Sequence, residues 1–329
     1  MQRAVSKARP RKSHWHLPIR ESFRFALESY SIVLKQNNSF TRSSVALRAL
    51  KCFLLAGSLF VFAASAASPA PSVDNRQDPA GEANRLAREV IEHEIQAQIR
   101  DNSLWHYRQL KEEKGKKRLF DVYQTKEGEI SRLLEVNGEP LSARQEKEEA
   151  ERIRRLATHP DAMREEKRKQ NEDADKARKL LKIYPEAFLF RLEGMQGNLA
   201  RLSFTPNPNY DPSGREAEVL HHMEGNLLVD VKQKRLAEID GTLQTSVKFA
   251  GGLLGHLDKG GTFLVKQREV GSGSWLMELL NVNMNGKVLF FKTIAVHQKE
   301  SDSDFQPLPA DLTVERAVEM LLQGQNGNK

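Results

Sequence analysis

"LAEIDGTLQTSVKF", residues 236–249, decides the fold. From Ala237 the odd positions read Ala, Ile, Gly, Leu, Thr, Val and Phe, while the even positions from Leu236 read Leu, Glu, Asp, Thr, Gln, Ser and Lys. A period of two puts one set on a buried face and the other in water, which is the signature of a β-strand. A strand of this length is well beyond the usual five or six residues. Long strands of this kind belong to bent or barrel-like sheets.

Further alternating segments surround it. Leu104–Leu110, Arg118–Thr125, Ile130–Val136, Ala187–Glu193 and Leu199–Phe204 precede it; Thr262–Val270, Trp275–Asn283 and Lys287–Gln298 follow. The turn signals are "TKEGE", "NGEP", "GSGS" and "MNG". Such short connections join antiparallel neighbours, because a parallel pair needs a long crossover. Helices are predicted over Glu82–Arg100, where Leu86, Val90, Ile91, Ile95 and Ile99 recur at helical spacing, and after Pro309 in "DLTVERAVEMLL". A charged helical hairpin is predicted over 142–182, broken at His159-Pro160. The expected class is α+β, a large and strongly curved antiparallel sheet wrapped round helices.

Charge excludes one function class. The 329 residues carry a net +7, but residues 1–66 hold 11 Lys and Arg against 2 Asp and Glu. Without that leader the balance is 40 against 42, so no basic stripe remains for nucleic acid. Arg48 and Lys51, the apolar run Cys52–Ala64 and the small residues Ala64-Ser65-Ala66 make residues 45–66 a predicted secretory signal. Thirteen apolar residues fall short of the roughly twenty that span a bilayer. Residues 1–44 form a basic extension, read as upstream of a true start near Val45 or Leu47, and 67–81 form a polar linker. The exported domain is then 82–329, without cysteine and placed in the periplasm.

No catalytic constellation emerges. "AGGLLGHLDKGGTF", 250–263, is not a phosphate loop, because Lys259 follows Asp258 rather than Gly and the segment joins two strands. It reads as a turn between long strands. His221, His222 and His256 offer at most a composite metal site for a hydrolase, with no ligand spacing to support it. No metal, cofactor or catalytic residue is assigned. The remaining signal is apolar: Ile239, Leu243, Val247, Phe249, Phe263, Val265, Val288, Phe290 and Ile294 fall on one face. They line either an ordinary core or a cavity for a lipid or acyl chain.

The layout resembles a family. An amphipathic first helix, a strand meander, a helical insertion, "MEGNLLVDVKQKRLAEIDGTL", a glycine-rich turn and long strands ending in "SDFQPLP" are similar to the lipoprotein-sorting (Lol) carriers and receptors of Gram-negative bacteria. The likeness covers roughly 82–310. It implies an unclosed half-barrel with an apolar cavity, periplasmic handling of lipid or lipoprotein acyl chains, and a lipoprotein or envelope protein as partner. The charged hairpin departs from the carriers. A structural protein of the same fold with a filled core is the competing expectation.

Overall fold

The computed structural model describes residues 79–158, 160–288 and 292–323. The predicted extension, signal and most of the linker lie outside them.

The first helix, α1 (Pro79–Arg100), starts with proline, carries Glu82 in its first turn and Arg100 in its last. All three suit the unpaired backbone groups and the dipole at helix ends. Ala83, Ala87, Val90, Ile91 and Glu94 recur along one face, and all five are buried. Strands β1 (Leu104–Glu113), β2 (Lys116–Thr125), β3 (Gly128–Val136) and β4 (Glu139–Pro140) form a meander. Two of its turns, Lys114-Gly115 and Asn137-Gly138, have positive φ at both residues. That is the twist-matched hairpin turn that glycine and asparagine make accessible.

The charged hairpin follows as α2 (Ala143–Thr158) and α3 (Pro160–Ala187). The second helix runs five residues past the predicted end, because Leu180, Leu181, Ile183 and Tyr184 pack onto the sheet. Strands β5 (Phe188–Gln196) and β6 (Leu199–Pro206), the short α4 (Arg215–Leu220), and β7 (Met223–Asp230) and β8 (Arg235–Leu243) complete a second meander. Then come β9 (Val247–Phe249), a single 3-10 turn, β10 (Gly255–Leu257), β11 (Thr262–Gly271), β12 (Ser274–Val288), β13 (Lys292–Leu308) and the closing helix α5 (Val314–Gln323).

All of these strands belong to one sheet in the order β4-β3-β2-β1-β13-β12-β11-β8-β7-β6-β5, with β10 pairing to both β9 and β12. Every ladder is antiparallel. The two end strands, β4 and β5, do not pair, so the sheet stays open. Register shifts interrupt several ladders, among them β1–β13, β11–β12 and β7–β8. Such bulges bend a strand and add twist. The fold is thus α+β, an unclosed half-barrel of antiparallel strands with helices packed against it.

Three expectations need correcting. Residues 236–249 are not one strand: the ladder stops at Leu243 and restarts at Val247. Within β8, Val229 pairs with Leu236 and Leu228 with Glu238, which leaves Ala237 as the extra residue of a bulge. The phase therefore flips, and Leu236, placed on the wet face by alternation, is 4% exposed in the core. Second, "MNG" is no turn: Asn285 and Gly286 continue β12, opposite Ala295 and Ile294. A side chain on Gly286 would bring its Cβ to 2.2 Å from the His256 carbonyl oxygen, so this glycine marks a close backbone approach by β10. Third, 250–263 is more than a turn, since β10 lies within it and pairs with β12.

Candidate functional site

Register sets the face from which the site is built. Leu227, Ile239, Val265 and Leu280 stand directly opposite one another across β7, β8, β11 and β12. The neighbouring row is Gly225, Gly241, Phe263 and Val282. A third joins Val247, Leu257 and Gly286, and a fourth Phe249, Gly255 and Val288. Opposed residues share a face. Alternation along each strand then places Ile239, Leu243, Val247, Phe249, Phe263 and Val265 on one face.

Their burial differs. Ile239, Leu243 and Val247 are sealed in a core formed with Ala83, Ala87, Val90 and Ile91 of α1 and Tyr184 of α3. Phe249, Phe263 and Val265 are only partly buried against that core. The Phe263 ring lies over Gly241, where a Cβ would fall 2.4 Å from a ring carbon. Glycine at 241 is thus what lets the ring lie flat on the sheet. Val288 pairs with Gly255 and Lys292, and Ile294 with Gly286. Phe290 lies outside the described residues.

The same row turns polar at its far end. Leu280 stands opposite Glu300 on β13, and Glu300 opposite Lys111 on β1. Glu300 is 1% exposed; it accepts a 2.9 Å hydrogen bond from Gln109, and Lys111 Nζ lies 3.7 Å away. Asp302, two residues along, is also buried and leaves Oδ1 without a partner. Burial, and then the Glu300 charge, push the Asp302 carboxyl well above its usual range. Tyr107 donates to Glu129 at 3.1 Å, and its phenol is likewise raised, first by burial and then by Glu129. Sequence reasoning missed this cluster. Acidic residues are too frequent here to single out a pair, and only the β1–β13 register brings Gln109 and Lys111 to β13.

A second buried charge ties α1 to the sheet. Glu94 accepts hydrogen bonds from Arg235 Nε at 2.8 Å, from the Leu236 backbone N–H at 3.3 Å and from Gln267 Nε2 at 3.2 Å. The carboxylate thus caps the β8 bulge.

His222 and His256 take separate partners, while His221 Nδ1 is buried without one among the described residues. His222 Nδ1 lies 2.9 Å from Thr245 Oγ1, and His256 Nε2 lies 3.2 Å from Asp258. Among the described residues, no three metal-ligating side chains group closely enough to hold an ion. An open cleft of about 300 Å³ beside the β1–β2 turn has a mixed lining that includes Glu113, Lys114, Val282, Asn283, His297 and Lys299.

Fold and site together define an open antiparallel sheet with an apolar face and buried carboxylates at one end of it. No family model matches the chain, and no curated protein matches it either. Among solved structures, a DUF1329 family protein from Desulfovibrio piger is similar at 10% identity, with a TM-score of 0.25, over 70% of this chain and 94% of its own. No helix among the described residues is long and apolar enough to cross a membrane.

Proposed function

We propose that the protein is a non-catalytic binder of an apolar ligand, a lipid or lipoprotein acyl chain, acting in the bacterial periplasm with a lipoprotein or envelope protein as partner. The observation that carries this reading is the partial exposure of Phe249, Phe263 and Val265 beside the sealed Ile239, Leu243 and Val247. α1 packs on β5 and β8, and these three residues belong to β9 and β11 beyond it. An acyl chain laid along them would remove apolar surface from water, worth roughly 25 cal/mol per Å². Periplasmic placement rests on the basic-apolar-small pattern of residues 45–66.

Native mass spectrometry of chain gently purified from cell envelopes tests both parts. Adducts with acyl masses on a chain that begins near Ser65–Pro69 are expected. An unprocessed chain would remove the export claim.

A second reading has its own support. Leu243 and Val247 are 0% and 1% exposed, as in a scaffold whose core is filled. Ligand-free spectra under the same gentle conditions would favour it.

A further inference from the structure

We infer that the β9–β10 tip is a docking surface for an anionic phospholipid bilayer. This goes beyond acyl-chain binding, because it concerns the outer surface rather than the sheet face. Two observations carry it.

The first is an apolar protrusion fixed by its own backbone. Ala250, Gly251 and Gly252 all take positive φ, and the turn presents Leu253 and Leu254 at 66% and 41% exposure. Leu253 N–H donates to the Ala250 carbonyl at 3.1 Å and Leu254 N–H to that of Phe249 at 3.2 Å. The leucines thus project from a closed turn rather than from a frayed end.

The second is charge. Lys248, His256 and Lys287 stand directly opposite one another across β9, β10 and β12. They share the face opposite to Val247 and Leu257. Lys248 and Lys287 are exposed, as is Lys259 at the base of the tip. Among the described residues none of these three lysines has an ion-pair partner, and Asp258 lies 3.2 Å from His256 Nε2. Two leucines flanked by unpaired cations match the chemistry of an anionic interface: the apolar tip enters the acyl boundary while the lysines meet phosphates. A second copy of the chain fits poorly. Two leucines fall far short of the roughly 1,200 Å² that a stable protein interface buries, and the lysines of two copies would repel.

The test places a tryptophan at the tip of the full chain, Leu253→Trp, and reads its emission as the difference from the parent. A shift to shorter wavelength is expected with vesicles of phosphatidylcholine containing about one-third phosphatidylglycerol, and not with phosphatidylcholine alone. Because the reporter sits at residue 253, vesicle binding through the N-terminal apolar run leaves it unchanged. Lys248→Gln and Lys287→Gln, both at exposed positions, should each weaken the response about fivefold, as should salt. Absence of a shift would overturn the proposal, as would an equal shift on both vesicle types. A shift that grows with protein concentration without vesicles would overturn it in favour of self-association. As a second variant, Gly286→Ala presses β10 away from β12 and should weaken binding with the tip sequence intact. Unchanged binding in that variant would count against the three-strand row.

Discussion

Arg235 reaches from β8 to Glu94 on α1, placing a guanidinium nitrogen 2.8 Å from a carboxylate that is 0% exposed. The same carboxylate accepts the Leu236 N–H in the β8 bulge. One buried charge therefore holds both the helix and the irregularity that redirects the strand.

Removing one partner leaves the other charge buried and unpaired. Glu94→Ala is expected to cost about 3–5 kcal/mol in urea unfolding, and Arg235→Ala a similar amount. The double variant should cost clearly less than the two together, because the pair acts as a unit. Additive losses would show that each residue acts alone.

The edge of β3 carries a different device. Its pairing to β4 covers only Glu135 and Val136. Further along, the Leu133 N–H donates to Glu149 Oε1 at 2.6 Å, and Arg152 donates to the Ser131 carbonyl. The two side chains of α2, themselves paired at 2.7 Å, stand where a further strand would dock. Glu149→Ala should lose about 1–3 kcal/mol and raise the tendency to associate, read by light scattering during a thermal ramp. A variant as soluble as the parent would contradict this role for α2.

Asp302 supplies a pH dependence. Burial and the neighbouring Glu300 raise its carboxyl in the folded chain, whereas the unfolded chain keeps an ordinary value near 3.9. Above that value the folded chain retains a proton that the unfolded chain has released. The stabilisation from this group is therefore complete below about pH 4 and is lost as the pH rises towards the raised value. Asp302→Asn should flatten that slope and raise the melting temperature at pH 7. An unchanged slope would show that Asp302 does not titrate in this window.

Much of the fold was legible because turns carry local chemistry. Lys114-Gly115 and Ser272-Gly273 supply the positive φ that two-residue hairpins need, and each closes a predicted pair of strands, while Asn137-Gly138 ends the predicted β3 and leads into β4, which the pattern does not show. The closing helix was equally clear, since Val314, Ala317, Val318 and Leu321 share its buried side, with Leu312 buried just before it. Bulges are not written in local pattern. The extra residue Ala237 answers to Glu94, far away in sequence, so strict alternation misplaced Leu236. Gly286 looked like a turn because glycine serves both turns and close approaches, and only the position of β10 separates the two. In the site, alternation found the apolar rows, but their sealing by α1 and Tyr184 depends on helix placement.

Acyl-chain binding, as proposed, falls to the half-buried residues Phe249, Phe263 and Val265 of the apolar face. Titrating the parent chain and Phe263→Ser with a fluorescent fatty acid, with melting followed in parallel, tests it most directly. Saturable binding by the parent is expected, with an affinity at least about tenfold lower in the variant and cooperative melting retained. No uptake by the parent, or equal affinity in two well-folded chains, would contradict it.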